Sequence, residues 1–168
     1  MVIKMRKVVK GLKDILEREL HLYNNILDLS EKKTEIIKSG KVKELEKTTQ
    51  IEQKLIYQAG RLEEEREEII EKLRKEFGLK KDIDMTKLLE HLDKNEKGII
   101  EKIRNELLDT LEKLKERNNL NGRLIQDSLE YINFNLNLLT NASKQTTYSN
   151  EVKKGDQPQN KNLFDAKV

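Results

Sequence analysis

Between Val8 and Ile37 the apolar residues stand at Val8, Leu12, Ile15, Leu16, Leu22, Tyr23, Ile26, Leu27, Leu29, Ile36 and Ile37. This three-four spacing, sustained over many helical turns, draws one narrow apolar stripe along a helix. A helix of this kind gains stability by laying its stripe against other helices, so the pattern by itself steers the chain toward helix-on-helix packing. The composition agrees, because 35% of the 168 residues are hydrophobic, 39% are charged and only one is proline. That is too little apolar surface for a thick layered core and too little turn chemistry for a sheet. One domain fits the length, and the expected fold class is all-α.

The first stripe stops at Ser39-Gly40, where glycine can adopt the left-handed conformation that closes a helix and Lys38 sits at the negative end of the helix dipole. A second stripe runs Val42, Leu45, Thr49, Glu52, Leu55, Ile56, Ala59, Leu62, Arg66, Ile69, Ile70, Leu73 and Phe77 and ends at Gly78. Two arms of similar length joined by so short a turn predict a long antiparallel helical hairpin. Glu19, Lys33, Glu52 and Arg66 interrupt the stripes and read as register-setting pairs or as snorkelling side chains.

After a polar joint, Asp84 is placed to cap a short helix, and a third long helix starts near Lys94. Ile99, Ile100, Ile103, Leu107, Leu111 and Leu114 give its first half one stripe to lay on the hairpin. The expected helices are about 5–38, 41–77, 84–92 and 94–141, forming an elongated three-helix bundle or coiled coil over 1–141. Over 142–168 the pattern dissolves into Ser, Thr, Gln, Asn, Lys, Gly and Pro158, the composition of a flexible, disordered C-terminal tail, which still carries Tyr148, Leu163 and Phe164.

The second half of the third helix has two apolar stripes. Ile125, Leu129, Ile132, Leu136 and Leu139 continue the first, while Leu120, Leu124, Tyr131, Phe134 and Leu138 lie roughly 120° away at 100° per residue. Either both stripes are buried in the bundle or one is held for a partner. The second option gains weight from Tyr131, Phe134, Tyr148 and Phe164, because aromatics are scarce in this chain and are the common anchors of binding surfaces. Ile132, Phe134, Leu136 and Leu138 also alternate with polar residues as a strand would, but the interleaved Asn residues are poor strand formers. Asn118, Asn121 and Gly122 precede this segment. The two Asn residues can specify register, and the glycine suggests the close approach of another helix.

No catalytic constellation is present. The absence of cysteine removes disulfides, thiolate metal sites and thiol nucleophiles, and His21 and His91 lack the spacing of a helical metal site. No glycine-rich phosphate loop occurs, and the carboxylates are interleaved with lysines instead of enclosed. The chain reads as a non-enzyme with no cofactor and no metal. Its 34 basic and 31 acidic residues give a net charge of +3, but the signs alternate, so no continuous basic face exists for nucleic acid. Neither a secretory signal nor a membrane-spanning run is found, so stable membrane insertion is not expected and the protein reads as soluble and cytoplasmic.

Nearly the whole chain resembles the FlgN-type flagellar export chaperones. The resemblance is carried by Leu12, Glu19, Tyr23, Leu27, Lys33 and Ile37 of the first helix, by Ser39-Gly40 leading to Val42 and Leu45, and by Glu52 followed by Leu62, Glu63 and Arg66. The run Asn118-Asn119-Leu120-Asn121-Gly122-Arg123-Leu124-Ile125 is its most specific part, and Tyr148, Gly155 and Lys167-Val168 complete it. The resemblance implies a cytoplasmic chaperone of flagellar type III secretion. Such a chaperone binds the C-terminal amphipathic helices of hook-associated, hook–filament junction proteins, prevents their premature assembly and delivers them to the export gate. It implies a client groove at Leu120, Leu124, Tyr131, Phe134 and Leu138 with Asn118, Asn121 and Gly122 at its edge, and an export-gate contact at Tyr148. Whether the chain works as a monomer or a homodimer is left open. The alternative is a structural coiled-coil scaffold that self-associates through its hairpin.

Overall fold

A computed structural model describes the backbone of residues 2–151 and the side chains of residues 5–142. It contains four helices: α1 (Val2–Lys38), α2 (Val42–Glu76), α3 (Met85–Leu89) and α4 (Lys94–Glu151). No strand occurs among the described residues. The chain divides into two compact units, Met1–Ile125 and Gln126–Val168.

In the first unit, glycines close both arms of the hairpin. Gly40 has φ +67° and Gly78 φ +65°. Around Gly40, the N–H of Lys41 donates to Ile36 O and that of Gly40 to Ile37 O; around Gly78, Leu79 N donates to Arg74 O and Gly78 N to Lys75 O. These paired bonds satisfy carbonyls that the end of a helix would otherwise leave orphaned. α3 begins where Asp84 accepts a hydrogen bond from Lys87 N at 2.9 Å. α4 begins at a cap that the sequence reading did not pick out, Asp93, whose Oδ1 accepts from the N–H groups of Asn95 and Glu96. The Glu96 N–H holds the Asp93 carboxyl below its ordinary pKa, because a carboxylate that accepts backbone donors is favoured in its charged form.

One core serves this unit. Leu12, Ile15 and Leu16 of α1, Leu73 of α2, Leu88 and Leu89 of α3, and Ile100 of α4 are all buried in it. Full burial of such a side chain contributes roughly 1.5–3 kcal/mol, which explains how a chain poor in apolar residues holds together. Ile99, counted in the α4 stripe from its spacing, is instead exposed, because it lies at the edge of the stripe that Ile100 and Ile103 centre.

The charges inside the stripes pair across the hairpin. Arg66 Nη1 donates to Glu19 Oε2 at 3.0 Å and Lys33 Nζ to Glu52 Oε2 at 2.7 Å. Glu19 is 1% exposed, and burial pushes its carboxyl above the ordinary pKa against the opposing pull of Arg66. A one-residue slip of the hairpin would strand these charges without partners, so the pairs fix its register.

Candidate partner-binding surface

α1 and α4 run parallel. Their polar contacts join residues at a nearly constant offset: Thr110 to Asn24, 86 apart; Asn121 to Thr34, 87 apart; and Asn118 to Ser30, 88 apart. At the far end of this seam four side chains form one hydrogen-bonded network, of which Ser30, Thr34 and Asn121 are buried. Asn121 Nδ2 donates to the Ser30 carbonyl at 2.9 Å and to Ser30 Oγ at 3.2 Å. Thr34 Oγ1 donates to Asn121 Oδ1 at 2.6 Å, and Ser30 Oγ to Asn118 Oδ1 at 2.8 Å. Apolar stripes can slide by a turn at modest cost, whereas a buried amide whose partners lie at fixed positions cannot. This register places Ile125 of α4 about level with Lys38, the last residue of α1.

The eight client-site candidates divide between the two units. Asn121 is buried in the network just described, which is the register role the sequence offered as one option, and Asn118 is joined to the same network from an exposed position. Leu120 is half-buried in a shallow charged cleft with Leu27, Glu31, Arg117 and Arg123. Leu124 is also half-buried. Gly122 corrects an expectation, because a Cβ built there would meet nothing within 4 Å. Among the described residues no helix approaches it closely, so packing there does not explain the glycine.

In the second unit Tyr131 is 69% exposed, Phe134 60% and Leu138 53%. The segment is helical, so the strand-like alternation of Ile132 to Leu138 is incidental. Asn135 Nδ2 donates to the Tyr131 carbonyl at 3.0 Å, and the Thr140 hydroxyl bonds the Leu136 carbonyl. Leu129, Ile132, Leu136 and Leu139, expected to continue the core stripe, are exposed as well. Among the described residues of 126–142 neither stripe is buried. Helix length carried a signal that these four differ from the core stripe, because α4 has 58 residues against 37 in α1 and 35 in α2. The α4 backbone also continues past the expected end near Asn141 to Glu151 and so includes Tyr148, whose side chain lies outside the described residues, as do Gly155, Leu163, Phe164 and Lys167-Val168.

No group of three or more metal-ligating side chains gathers among the described residues. His21 is at hydrogen-bonding reach of Asn25, and the ring of His91 packs against Phe77 at 5.4 Å. No described helix is long and apolar enough to cross a membrane.

The sequence profile of the FlgN protein family matches residues 1–154. The chain is also 30% identical over 161 residues to "Uncharacterized protein YvyG" of Bacillus subtilis (strain 168), an alignment that covers 95% of this chain and 98% of that relative. No solved structure matches it.

Proposed function

The chain belongs to the FlgN family of flagellar export chaperones, and from that premise we propose that its clients are hook-associated, hook–filament junction proteins, bound through their C-terminal amphipathic helices. Binding covers the apolar side chains that would otherwise drive premature assembly, and the chaperone then delivers the client to the export gate. This work takes place in the cytoplasm, where clients await export. The observation that carries the reading is the apolar surface of residues 126–142, where Leu129, Tyr131, Ile132, Phe134, Leu136 and Leu138 are all exposed. Single exposed hydrophobics are ordinary, but six within ten consecutive residues of one helix mark an interaction site. About half of each of these side chains remains to be buried, so complete coverage would contribute on the order of 5–10 kcal/mol gross. Set against association costs of about 4–15 kcal/mol, that gain suits a contact which must later release its client. Leu120 and Leu124 extend the client site, with Asn118 and Gly122 at its edge, while Asn121, buried against Ser30 and Thr34, leaves the edge for the register network; Tyr148 makes the gate contact.

Calorimetric titration of the full chain with the C-terminal segment of a hook-associated protein from the same cell tests this. One-to-one binding with a negative ΔCp is expected from apolar burial. Phe134→Ala should weaken it by about 1–2 kcal/mol, roughly 5- to 30-fold in Kd, and leave helicity unchanged. An unchanged Kd in that variant would remove Phe134 from the client site. Failure of the unmutated chain to bind would sink the proposal.

A further inference from the structure

Charged residues make up 39% of the chain, yet between 126 and 142 only Asp127 and Glu130 are charged, and between 131 and 142 there is none. This is also the stretch whose apolar side chains are exposed. Advancing 100° per residue, Leu129, Ile132 and Leu136 line one seam with the alternating three-four step of a coiled-coil a/d pair. Tyr131, Phe134 and Leu138 line a second seam, roughly 160° round the helix by the same advance. A narrow strip holding Ser128, Asn135 and Leu139 separates the seams on one side, a broad arc holding Gln126, Glu130, Asn133 and Asn137 separates them on the other, and Asp127 lies in line with Tyr131 and Phe134. One packed helix covers an apolar stripe only about 100° wide, so a single partner helix cannot cover both.

We propose that residues 126–142 are the middle helix of a composite bundle in which the partner chain presents two helical faces, one to each seam, each flanked by uncharged amide and hydroxyl side chains. The inference rests on the client-binding reading and specifies the client's chemistry. Beyond Phe134, where neither seam has a charged neighbour up to residue 142, a lysine or glutamate brought alongside would lose its hydration and meet no opposite charge. Amide and hydroxyl flanks, in contrast, can exchange hydrogen bonds with Asn133 and Asn137, both exposed. The same lack of charge removes electrostatic steering, so binding is governed by apolar fit and is nearly indifferent to ionic strength.

The test uses the full chain and the C-terminal segment of a hook-associated protein, titrated in low and high NaCl. Kd should change less than about threefold between roughly 50 mM and 500 mM salt. The pair Ile132→Ser with Leu136→Ser, and separately Tyr131→Ser with Phe134→Ser, should each weaken binding by about tenfold or more. Circular dichroism should be unchanged in both, because all four side chains are exposed. A Kd that rises about tenfold or more with salt refutes an uncharged partner. If only one of the double variants loses binding, the two-faced partner is wrong. Sedimentation adds another refuting outcome: a dimer of the chain that one seam's variant dissolves, at unchanged client Kd, assigns that seam to a second copy. Absence of client binding by the unmutated chain at either salt refutes the proposed function itself, which separates that failure from the others.

Discussion

Replacing Asn121 with Ala removes the centre of the α1–α4 network. Asn121 is 3% exposed, and its amide donates to the Ser30 carbonyl and hydroxyl while accepting from Thr34. After truncation Ser30 keeps its bond to Asn118, and the Thr34 hydroxyl falls back on the Ser30 carbonyl at 3.2 Å. The net loss is therefore two to three hydrogen bonds of about 0.5–1.5 kcal/mol each, or about 1–4.5 kcal/mol in all. Asn118→Ala, from an exposed position with one bond into the network, should cost only about 0.5–1.5 kcal/mol. Asn121→Leu is the discriminating control. It restores volume but leaves Thr34 facing a methyl group, so it should be no more stable than Asn121→Ala. Urea denaturation followed by circular dichroism at 222 nm reads all three, with an unchanged m-value showing that the shift reflects stability. If Asn121→Ala lies within about 0.5 kcal/mol of the parent chain, or if Asn121→Leu exceeds the parent in stability, the network does not hold the α1–α4 register.

Arg66→Ala should cost about 2–4 kcal/mol in the same assay, because it leaves the Glu19 carboxylate buried without its counter-charge; a change near zero would show that Glu19 finds another partner. The Glu19 carboxyl is raised in the folded chain by burial, so its ionisation opposes folding, and that opposition is relieved as pH falls through the folded-state pKa toward the ordinary carboxylate value. Glu19→Gln should therefore gain relative to the parent at neutral pH and lose that advantage on acidification; an advantage that grows toward acid would contradict the sign. Tyr148→Ala should bind client normally and export it poorly in a secretion assay, and loss of client binding would place Tyr148 in the client site instead of at the gate.

The helices were legible because helix formation is largely local. Spacing set the stripes, and Gly40, Gly78 and Asp84 marked ends that follow from their own backbone and side-chain preferences. The seam charges Glu19, Lys33, Glu52 and Arg66 were recognisable as pairing residues, since charges inside an apolar stripe need partners. Asn121 was ambiguous. An Asn before a two-striped segment fits the rim of a groove as well as a register lock, and only the position of α1 chooses between them. Gly122 misled for the same reason, because a glycine in a helix suggests close packing until the neighbouring helix is placed.

Periodicity and composition by themselves determined that this chain is helical, where its helices turn, and which faces carry apolar side chains. They could not determine which stretch of α4 has a neighbour, because that depends on the offset between helices far apart in sequence. The offset is decided by the Asn24–Thr110, Ser30–Asn118 and Thr34–Asn121 bonds, which bring Ile125 of α4 level with the end of α1. Before that point the α4 stripe is core, at Ile100, Ile103, Leu107 and Leu114; beyond it the same stripe, at Leu129, Ile132 and Leu136, is exposed to water. Identical local chemistry thus serves stability in one half of the helix and recognition in the other, and the difference lies in tertiary register.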